Sequence, residues 1–276
     1  MNPDPDGSRL LTSPDVDDLL RAAVDHGGGT LVSWRLDHVD AHPRRSTTAT
    51  YSAVVDWSFG RRTELLGASV RASGRSETDE RAVIFADGTR EVTVWLYPRD
   101  PDLPGLVRAA YPEQVAALLH AYAVVPELLD GDRVELEMVG YRPRRRAVLR
   151  ACVPVGGVRR IFFIKVLRQK LFEPTLRRHQ LLLGAGLPAP EVAAATEDFL
   201  LVLPQLPGRP LAQAIFDAQP PCTAEQLVGL LDAMPREVAA LPRRQPVVLG
   251  DPGVEHGDHG RARHLTGASR RSGWRS

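Results

Sequence analysis

Cysteine, asparagine and lysine are scarce in this sequence of 276 residues. Its two cysteines, Cys152 and Cys222, argue against a disulfide framework and against a four-ligand zinc site. Asparagine occurs once, as Asn2, and Lys165 and Lys170 are the only lysines among many arginines. Such a preference for arginine is typical of GC-rich coding sequence. A lysine that persists within an apolar strand therefore points to a chemical requirement for an ammonium group.

An excess of charge of one sign is also lacking, as is any long hydrophobic run. Lysine and arginine number 35 against 34 acidic residues, which gives no bias toward nucleic acid or an anionic membrane. No apolar run approaches the roughly 20 residues of a membrane helix, and the acidic, proline-rich start is unlike a secretion signal. We therefore expect a cytoplasmic protein that binds neither nucleic acid nor a membrane.

The first half of the chain is rich in strand patterns. Ser13 and Pro14 predict the start of a helix that ends at a run of glycines. The following elements are expected: strands at 30–39, 48–58 and 64–72, a hairpin at 81–98 that turns at Asp87-Gly88, and helices at 102–110 and 112–124. The tryptophans of these strands are predicted to form core rather than a sugar platform. The polar run of Asp37, His38, Asp40 and His42 is predicted to be solvated.

The second half begins with three strands in series, followed by a helix and two more strands. The expected bounds are 134–143, 146–155 and 158–167 for the first strands, Pro174–Leu183 for the helix, and 191–196 and 199–206 for the last strands. A further helix with a threonine cap is expected at 223–241. No internal repeat is visible. After about Pro246 the apolar periodicity is lost and arginine, glycine and histidine are frequent.

Lys165 lies in the strand VRRIFFIKVL (158–167), among aromatic and β-branched residues. Because burial of an unpaired ammonium group is costly, this lysine needs an anionic side chain or an anionic ligand. The phosphates of a nucleotide meet that need, since an ammonium group is a compact point charge on a flexible stem. The alternative is a surface lysine whose stem lies along apolar neighbours.

The order of elements over residues 134–244 resembles the small lobe of the protein-kinase-like fold. It is most similar to the aminoglycoside phosphotransferase-like family, which includes actinobacterial small-molecule kinases and maltokinase-like proteins. The motifs that carry this resemblance are YRPRRRAVLR (141–150), FFIKVLR (162–168), RRHQLLLGAGLPAPEV (177–192), LLVLPQLPGRPL (200–211) and LVGLLDAMPREVAALPRR (227–244). The N-terminal part resembles the cap that some of these enzymes carry before their kinase lobes.

An α+β fold follows from this resemblance. The expected regions are a flexible tail (1–14), an antiparallel β-sheet cap with flanking helices (15–128), a kinase-like small lobe with its hinge (133–210), the first helices of an incomplete large lobe (211–245) and an irregular basic tail (246–276).

The resemblance also implies a nucleotide site with ATP and Mg²⁺ as cofactors. Lys165 matches the lysine that contacts the α- and β-phosphates, and Glu173 is the candidate for its paired glutamate. The segment 201–208 matches the link between the lobes, whose backbone binds adenine, so Leu203, Gln205 and Leu206 are candidate contacts. No glycine-rich phosphate loop is present, so arginines of the run 142–146 would cover the phosphates; a solvated turn is the alternative.

The catalytic half of the family pattern is incomplete in this sequence. The family carries HGD-x4-N and a later metal-binding aspartate. The one HGD here ends at Asp258, but Arg263 stands where asparagine is expected, and no asparagine or aspartate follows. The catalytic residues are thus unassigned, with Asp258 as the only formal match, and no Mg²⁺ site is identifiable. Two explanations are open: a frameshift after about residue 246, or a natural truncation with a solvated tail.

The implied function is ATP-dependent phosphorylation of a hydroxyl group on a small molecule, of the aminoglycoside or sugar class. The missing metal ligands predict that this chain is catalytically incomplete. The alternative is a non-catalytic module that binds a nucleotide or a partner protein. A nucleic-acid binder that uses the arginines of the tail is the least favoured interpretation, because the overall charge is close to neutral.

Overall fold

The computed structural model of the chain describes residues 4, 6–42, 46–71, 81–86, 91–128, 133–186, 189–208, 211–214, 216–217, 219, 222–229 and 232. The chain divides into two units, 1–245 and 246–276, and all of these residues belong to the first. Their structure combines helices with two antiparallel sheets, so the α+β class is confirmed. The turn expected at Asp87-Gly88 and the tail with Asp258 lie outside the described residues.

Five strands form the first sheet, in the order β1-β2-β3-β5-β4. Their bounds are Thr30–His42 (β1), Ser46–Trp57 (β2), Gly60–Arg71 (β3), Val83–Ala86 (β4) and Glu91–Leu96 (β5). Alternate residues of β2, among them Tyr51, Ala53 and Val55, are buried on one face of the sheet. That face packs against helices α1 (Ser8–Thr12) and α2 (Asp17–His26). The predicted strands are therefore confirmed, each shifted by a few residues at its ends.

The entry into α2 has the predicted cap. The Ser13 hydroxyl accepts a hydrogen bond of 3.3 Å from the Asp15 amide, and Pro14 begins a short 3-10 turn before the helix. Trp34 donates from its indole nitrogen to the Asp17 carboxylate at 2.7 Å, which joins β1 to the helix. Of the strand tryptophans, Trp95 is fully buried, whereas Trp34 and Trp57 pack against the edge of the core.

The second sheet also has five strands, in the order β6-β7-β8-β10-β9. Their bounds are Glu135–Arg142 (β6), Arg146–Val155 (β7), Val158–Leu167 (β8), Ala194–Ala195 (β9) and Leu200–Pro204 (β10). The strand predicted at 191–196 is thus reduced to two residues. Both sheets place their fifth strand between the third and the fourth, a shared topology that the two stretches of sequence do not reveal.

Helices α3 (Leu106–Ala109) and α4 (Pro112–Ala121) pack on the second sheet rather than on the first. Their buried residues, such as Leu106 and Leu118, join one core with Leu149, Ile164 and Leu200 of the strands. Both helices were predicted to flank the N-terminal sheet because of their order along the chain. The core that they complete belongs to the following region.

Helix α5 (Gln169–Gly184) connects β8 to β9 and begins five residues before the predicted start at Pro174. Phe172 and Leu176 are buried on one side of it, and this packing holds the turn before the proline in helical form. The Thr175 hydroxyl donates to the Leu171 carbonyl at 2.7 Å within the same turn. Proline at N1 is the common arrangement, which is why the sequence favoured the later start.

Only the first part of the expected large-lobe helices is described. Helix α6 spans Leu211–Ala214, and residues 224–229 are helical. Thr223 caps the latter segment reciprocally with Gln226, through hydrogen bonds of 3.2 and 2.8 Å, so the predicted threonine cap is confirmed. In the part of the chain that the structure describes, no helix has the length and hydropathy needed to cross a bilayer.

Candidate functional site

Lys165 lies on β8, between Val148 of β7 and Leu201 of β10. Side chains alternate between the faces of a strand, so the buried residues Phe162, Ile164 and Val166 point toward α3 and α4. Lys165 consequently lies on the opposite face, where it is half-buried. We call this surface the Lys165 face.

The surroundings of Lys165 are cationic. Burial and the nearby charge of Arg146 both lower the pKa of Lys165, burial being the larger cause. Arg146 pairs with Leu167 across the β7–β8 ladder, which makes it a diagonal neighbour of Lys165 on the same face. Among the described residues, no carboxylate forms an ion pair with Lys165. The site therefore has an excess of positive charge and nothing on the described chain to neutralise it.

His179 of α5 is the helix residue that approaches Lys165. Burial, followed by the charge of Lys165, lowers the pKa of His179, while a contact with the Pro190 carbonyl acts in the opposite direction. The ring atom Nδ1 lies 3.2 Å from that carbonyl, and because a carbonyl only accepts, Nδ1 must carry the proton. His179 was not among the residues predicted for the site, although its spacing of 3 from Leu176 and 7 from Phe172 follows the buried stripe of the helix.

Glu173, the predicted partner of Lys165, is not brought to it. Glu173 is exposed and lies one position beyond Phe172, off the stripe that faces the sheet. Within the described residues it forms no ion pair with Lys165. The position on α5 that faces the lysine is thus held by an imidazole rather than a carboxylate.

The segment predicted to contact adenine follows β10. Leu203 is buried opposite Phe163, and the amide of Gln205 donates to the Ile161 carbonyl at 2.9 Å. Gln205 and Leu206 then line a cavity of about 390 Å³, and half of the Leu206 side chain is exposed. Because the Gln205 amide is already bonded, a ligand in this cavity would have to use other backbone groups of the segment.

The arginine run divides between two partners at the turn from β6 to β7. Arg144 is buried with a φ of 58°, and its Nη1 donates to Ser69 of the first sheet at 2.6 Å. Arg145 pairs with Asp40 of β1 at 3.0 Å. Arg142 and Arg146 pair across the β6–β7 ladder, so they share the Lys165 face. The run is therefore not a wholly solvated turn. Only Arg142 and Arg146 lie on the Lys165 face, whereas Arg144 and Arg145 bind residues of the first sheet.

Asp100 holds this turn against the first sheet. Fully buried, it accepts hydrogen bonds from the Tyr141 hydroxyl at 2.8 Å, the Arg144 amide at 2.7 Å and the Asp102 amide at 2.9 Å. Burial raises the pKa of Asp100, although these donors oppose the shift. The Trp95 indole donates to Tyr141 at 3.0 Å and so connects β5 to the same network. Tyr141 of β6 therefore joins Trp95 of the first sheet to the carboxylate of Asp100.

A cavity of about 640 Å³ lies beside the arginine turn, between β1 and the β6–β7 hairpin. Arg142, Arg145 and Arg146 line it from the hairpin, and His38 and Asp40 line it from β1. The polar run of β1 that was predicted to be solvated thus contributes to a cavity, and Asp40 is engaged with Arg145. Three guanidinium groups against one carboxylate make this cavity suited to an anion.

A metal centre is not apparent in the described part of the chain. None of its histidine, cysteine, aspartate and glutamate residues gather in groups of three that could hold an ion. Asp258 lies outside the described residues.

Similarity to known proteins does not assign a function to this chain. Comparison of the chain with models of protein families, with curated proteins and with solved structures found no match. The geometry of the Lys165 face and the motifs that carry the resemblance are therefore the basis for assigning a function.

Proposed function

We propose that the chain binds the phosphates of ATP on the Lys165 face of the second sheet. The observation that carries the proposal is a half-buried lysine with no carboxylate partner among the described residues, next to Arg146 and His179. Such an arrangement is unfavourable without a ligand, because the ammonium group of Lys165 is partly desolvated and the charge of Arg146 repels it. An anion with several charges would reverse that balance.

The topology of the second sheet supports a nucleotide rather than a simple anion. Three strands, a helix and two strands follow one another, with the lysine near the end of the third strand, in the order that the resemblance to the phosphotransferases implies. The cavity at Gln205 and Leu206 has about 390 Å³ of space beside the segment expected to bind adenine. Arg142 and Arg146 add positive charge on the face that the phosphates would occupy.

The reaction class proposed by resemblance is transfer of a phosphoryl group from ATP to a hydroxyl group of an aminoglycoside or a sugar. The residues that would hold Mg²⁺ are not found: the described residues offer no ligand group, and no asparagine follows Asn2 in the sequence. We therefore derive no step through a metal ion and expect negligible turnover from this chain of 276 residues.

A non-catalytic module that binds a nucleotide or a partner is the second candidate. The observation that favours it is Arg263, which stands five residues beyond Asp258 where the family pattern has asparagine. On this interpretation the Lys165 face binds a nucleotide, but the chain does not transfer a phosphoryl group.

Calorimetric titration of the full chain with ATP, with and without Mg²⁺, tests the nucleotide site. We expect Lys165→Ala to weaken ATP binding at least about tenfold, since a charge-assisted contact contributes about 1.5–3 kcal/mol. Lys170→Ala is the matched control, because Lys170 is exposed on α5 and should leave binding unchanged. Equal affinity of Lys165→Ala and the unaltered chain would refute the site.

A phosphoryl-transfer assay separates the two candidate functions. The unaltered chain is incubated with ATP, Mg²⁺ and a panel of aminoglycosides and sugars, and phosphorylated product is measured. We expect no product above background. Robust transfer that is lost in Lys165→Ala would establish the enzyme and reject the non-catalytic module.

A further inference from the structure

A second polar cavity, of about 240 Å³, lies between the first sheet and the arginine turn. Three hydroxyl residues of the first sheet line it, and three arginines line it as well; they are Ser46, Thr48, Ser69, Arg144, Arg145 and Arg168. Asp40, His42 and Asp102 complete its charged and titratable lining. Lys165 is not among the residues around it. We call this space the junction cavity.

Arg144 is the central cation of the junction cavity. Only 8% of the residue is exposed, and it is one of the residues that line the cavity. Its Nε donates to Asp102 at 3.1 Å and its Nη1 donates to Ser69 at 2.6 Å. The other terminal nitrogen, Nη2, forms no hydrogen bond within the described part of the chain, and the guanidinium carbon lies 5.9 Å from the centre of the Trp95 ring. A guanidinium group carries five N–H donors, so most of the hydrogen-bonding capacity of this buried side chain is left for a ligand.

The charges around the cavity leave a positive excess. Arg145 is paired with Asp40 at 3.0 Å, and Arg168 is paired with Asp102 at 3.3 Å. Three guanidinium groups and two carboxylates leave one net positive charge. Each paired arginine still has N–H groups beyond those that its carboxylate accepts.

The opposite wall adds donors of a different kind. Ser46 and Thr48 line the cavity, and their hydroxyls form no hydrogen bond with the described residues. A ligand in the cavity would therefore meet N–H donors on one side and O–H donors on the other. A phosphate group suits this arrangement better than a carboxylate, because its oxygens are distributed tetrahedrally and it carries more charge.

We propose that the junction cavity binds a phosphate group, either as inorganic phosphate or as part of a small phosphate ester. The volume of about 240 Å³ lies below the roughly 300–1,000 Å³ of pockets for drug-sized ligands, which restricts the ligand to a compact molecule. The inference does not depend on the nucleotide proposal, since the two sites share no residue that either one requires.

Calorimetric titrations of the full chain at constant ionic strength test the proposal with three probes: inorganic phosphate, glycerol 3-phosphate and glycerol. We expect saturable binding of both phosphates and none of glycerol. Tighter binding of glycerol 3-phosphate than of inorganic phosphate would assign the site to an ester, and the reverse order would assign it to the free ion. Binding of glycerol equal to that of its phosphate, or no saturable binding of either phosphate, would overturn the proposal.

Variants locate the bound phosphate. Thr48→Val keeps the shape of the side chain and removes its hydroxyl, and Arg168→Gln removes one cation, so each should weaken phosphate binding about three- to tenfold. Thr63→Val, at an exposed position of β3 outside the cavity, should bind as the unaltered chain does. Arg144 is not the first choice for substitution, because its amide and side chain also hold the turn in place.

Lys165→Ala distinguishes this inference from the nucleotide site. This variant should bind ATP more weakly than the unaltered chain and should bind phosphate with unchanged affinity. If Lys165→Ala abolishes phosphate binding while Thr48→Val and Arg168→Gln do not affect it, the phosphate binds on the Lys165 face; the junction site is then rejected and the nucleotide proposal stands.

Discussion

The two sheets of this protein share one strand order. Helices α1 and α2 cover one face of the first sheet, and α3 and α4 cover one face of the second; the sheets differ in the residues on the opposite face. In the first sheet that face presents hydroxyls, such as Thr48 and Ser69, toward the arginine turn. In the second sheet it presents Lys165 and Arg146, with His179 of α5 beside them. The comparison shows that topology fixes where a face lies, whereas the side chains on it decide which ligand it can hold.

Asp100 belongs to both sides of this comparison, and its removal should have the largest effect. Asp100→Ala leaves three donors, on Tyr141, Arg144 and Asp102, without their acceptor, and the Arg144 amide among them is buried. Because each donor left unsatisfied costs about 1–3 kcal/mol, we expect a loss of about 3–5 kcal/mol in the free energy of unfolding, measured in urea. Asp100→Asn keeps one acceptor oxygen and should lose less. Asp18→Ala, at an exposed position of α2, should change stability by under about 0.5 kcal/mol; a similar loss there would contradict the role of Asp100.

One glycine in each sheet gives a matched pair. A Cβ at Gly67 of β3 would overlap the indole ring of Trp95, whereas a Cβ at Gly140 of β6 would meet nothing within 4 Å. Gly67→Ala should therefore cost about 1–3 kcal/mol through overpacking. Gly140→Ala should be neutral or slightly stabilising, since alanine loses less entropy than glycine on folding. Thermal unfolding of both variants checks the pair, and equal effects would show that the indole can move aside.

In the absence of a ligand, the charge of Lys165 should lower the stability of the folded chain. The neutral hydroxyls of Thr48 and Ser69 on the first sheet should have no such effect. Lys165→Met keeps a flexible stem and removes a partly desolvated charge, so we expect a gain of about 0.5–2 kcal/mol together with loss of ATP binding. Lys170→Met, on the exposed side of α5, should change neither property. A destabilised Lys165→Met would mean that the charge is already neutralised in the free protein.

The smallest effect concerns pH. The pKa of His179 is lowered in the folded chain, so the unfolded chain binds this proton more readily as the pH falls below about 6.5. The contribution of His179 to stability should therefore decrease from pH 7 toward pH 5, and the unaltered chain should lose more stability over this range than His179→Gln does. His26→Gln, at the exposed end of α2, is the matched control. Urea unfolding at several pH values gives the measurement, and identical slopes for His179→Gln and the unaltered chain would exclude the histidine as a cause.

Much of the fold follows from local patterns in the sequence. Alternation of apolar residues predicted β2, β7 and β8 within a few residues, and Ser13 and Thr223 marked helix starts through hydrogen bonds to their own neighbours. Lys165 was singled out by its scarcity and its apolar surroundings, and its half-buried position agrees with that reasoning.

The features that sequence did not predict depend on contacts between distant segments. An arginine run is ordinarily solvated, and the burial of Arg144 requires Asp100, Asp102 and Ser69 to arrive from elsewhere in the chain. Glu173 was chosen as the partner of Lys165 by residue type, yet the packing of α5 through Phe172 turns His179 toward the sheet instead. Helical phase, which depends on where α5 begins, decided between these two residues.

The hydrogen bond from the Arg144 amide to Asp100 has a consequence for hydrogen exchange. Amides in turns ordinarily exchange quickly with solvent, but this one donates at 2.7 Å to a carboxylate that is fully buried. Its proton should exchange only when the turn leaves the first sheet. If its protection equals that of the Ile164 amide in the core strand β8, the two sheets open in a single cooperative event. Weaker protection would define a partially opened state in which the second sheet persists alone.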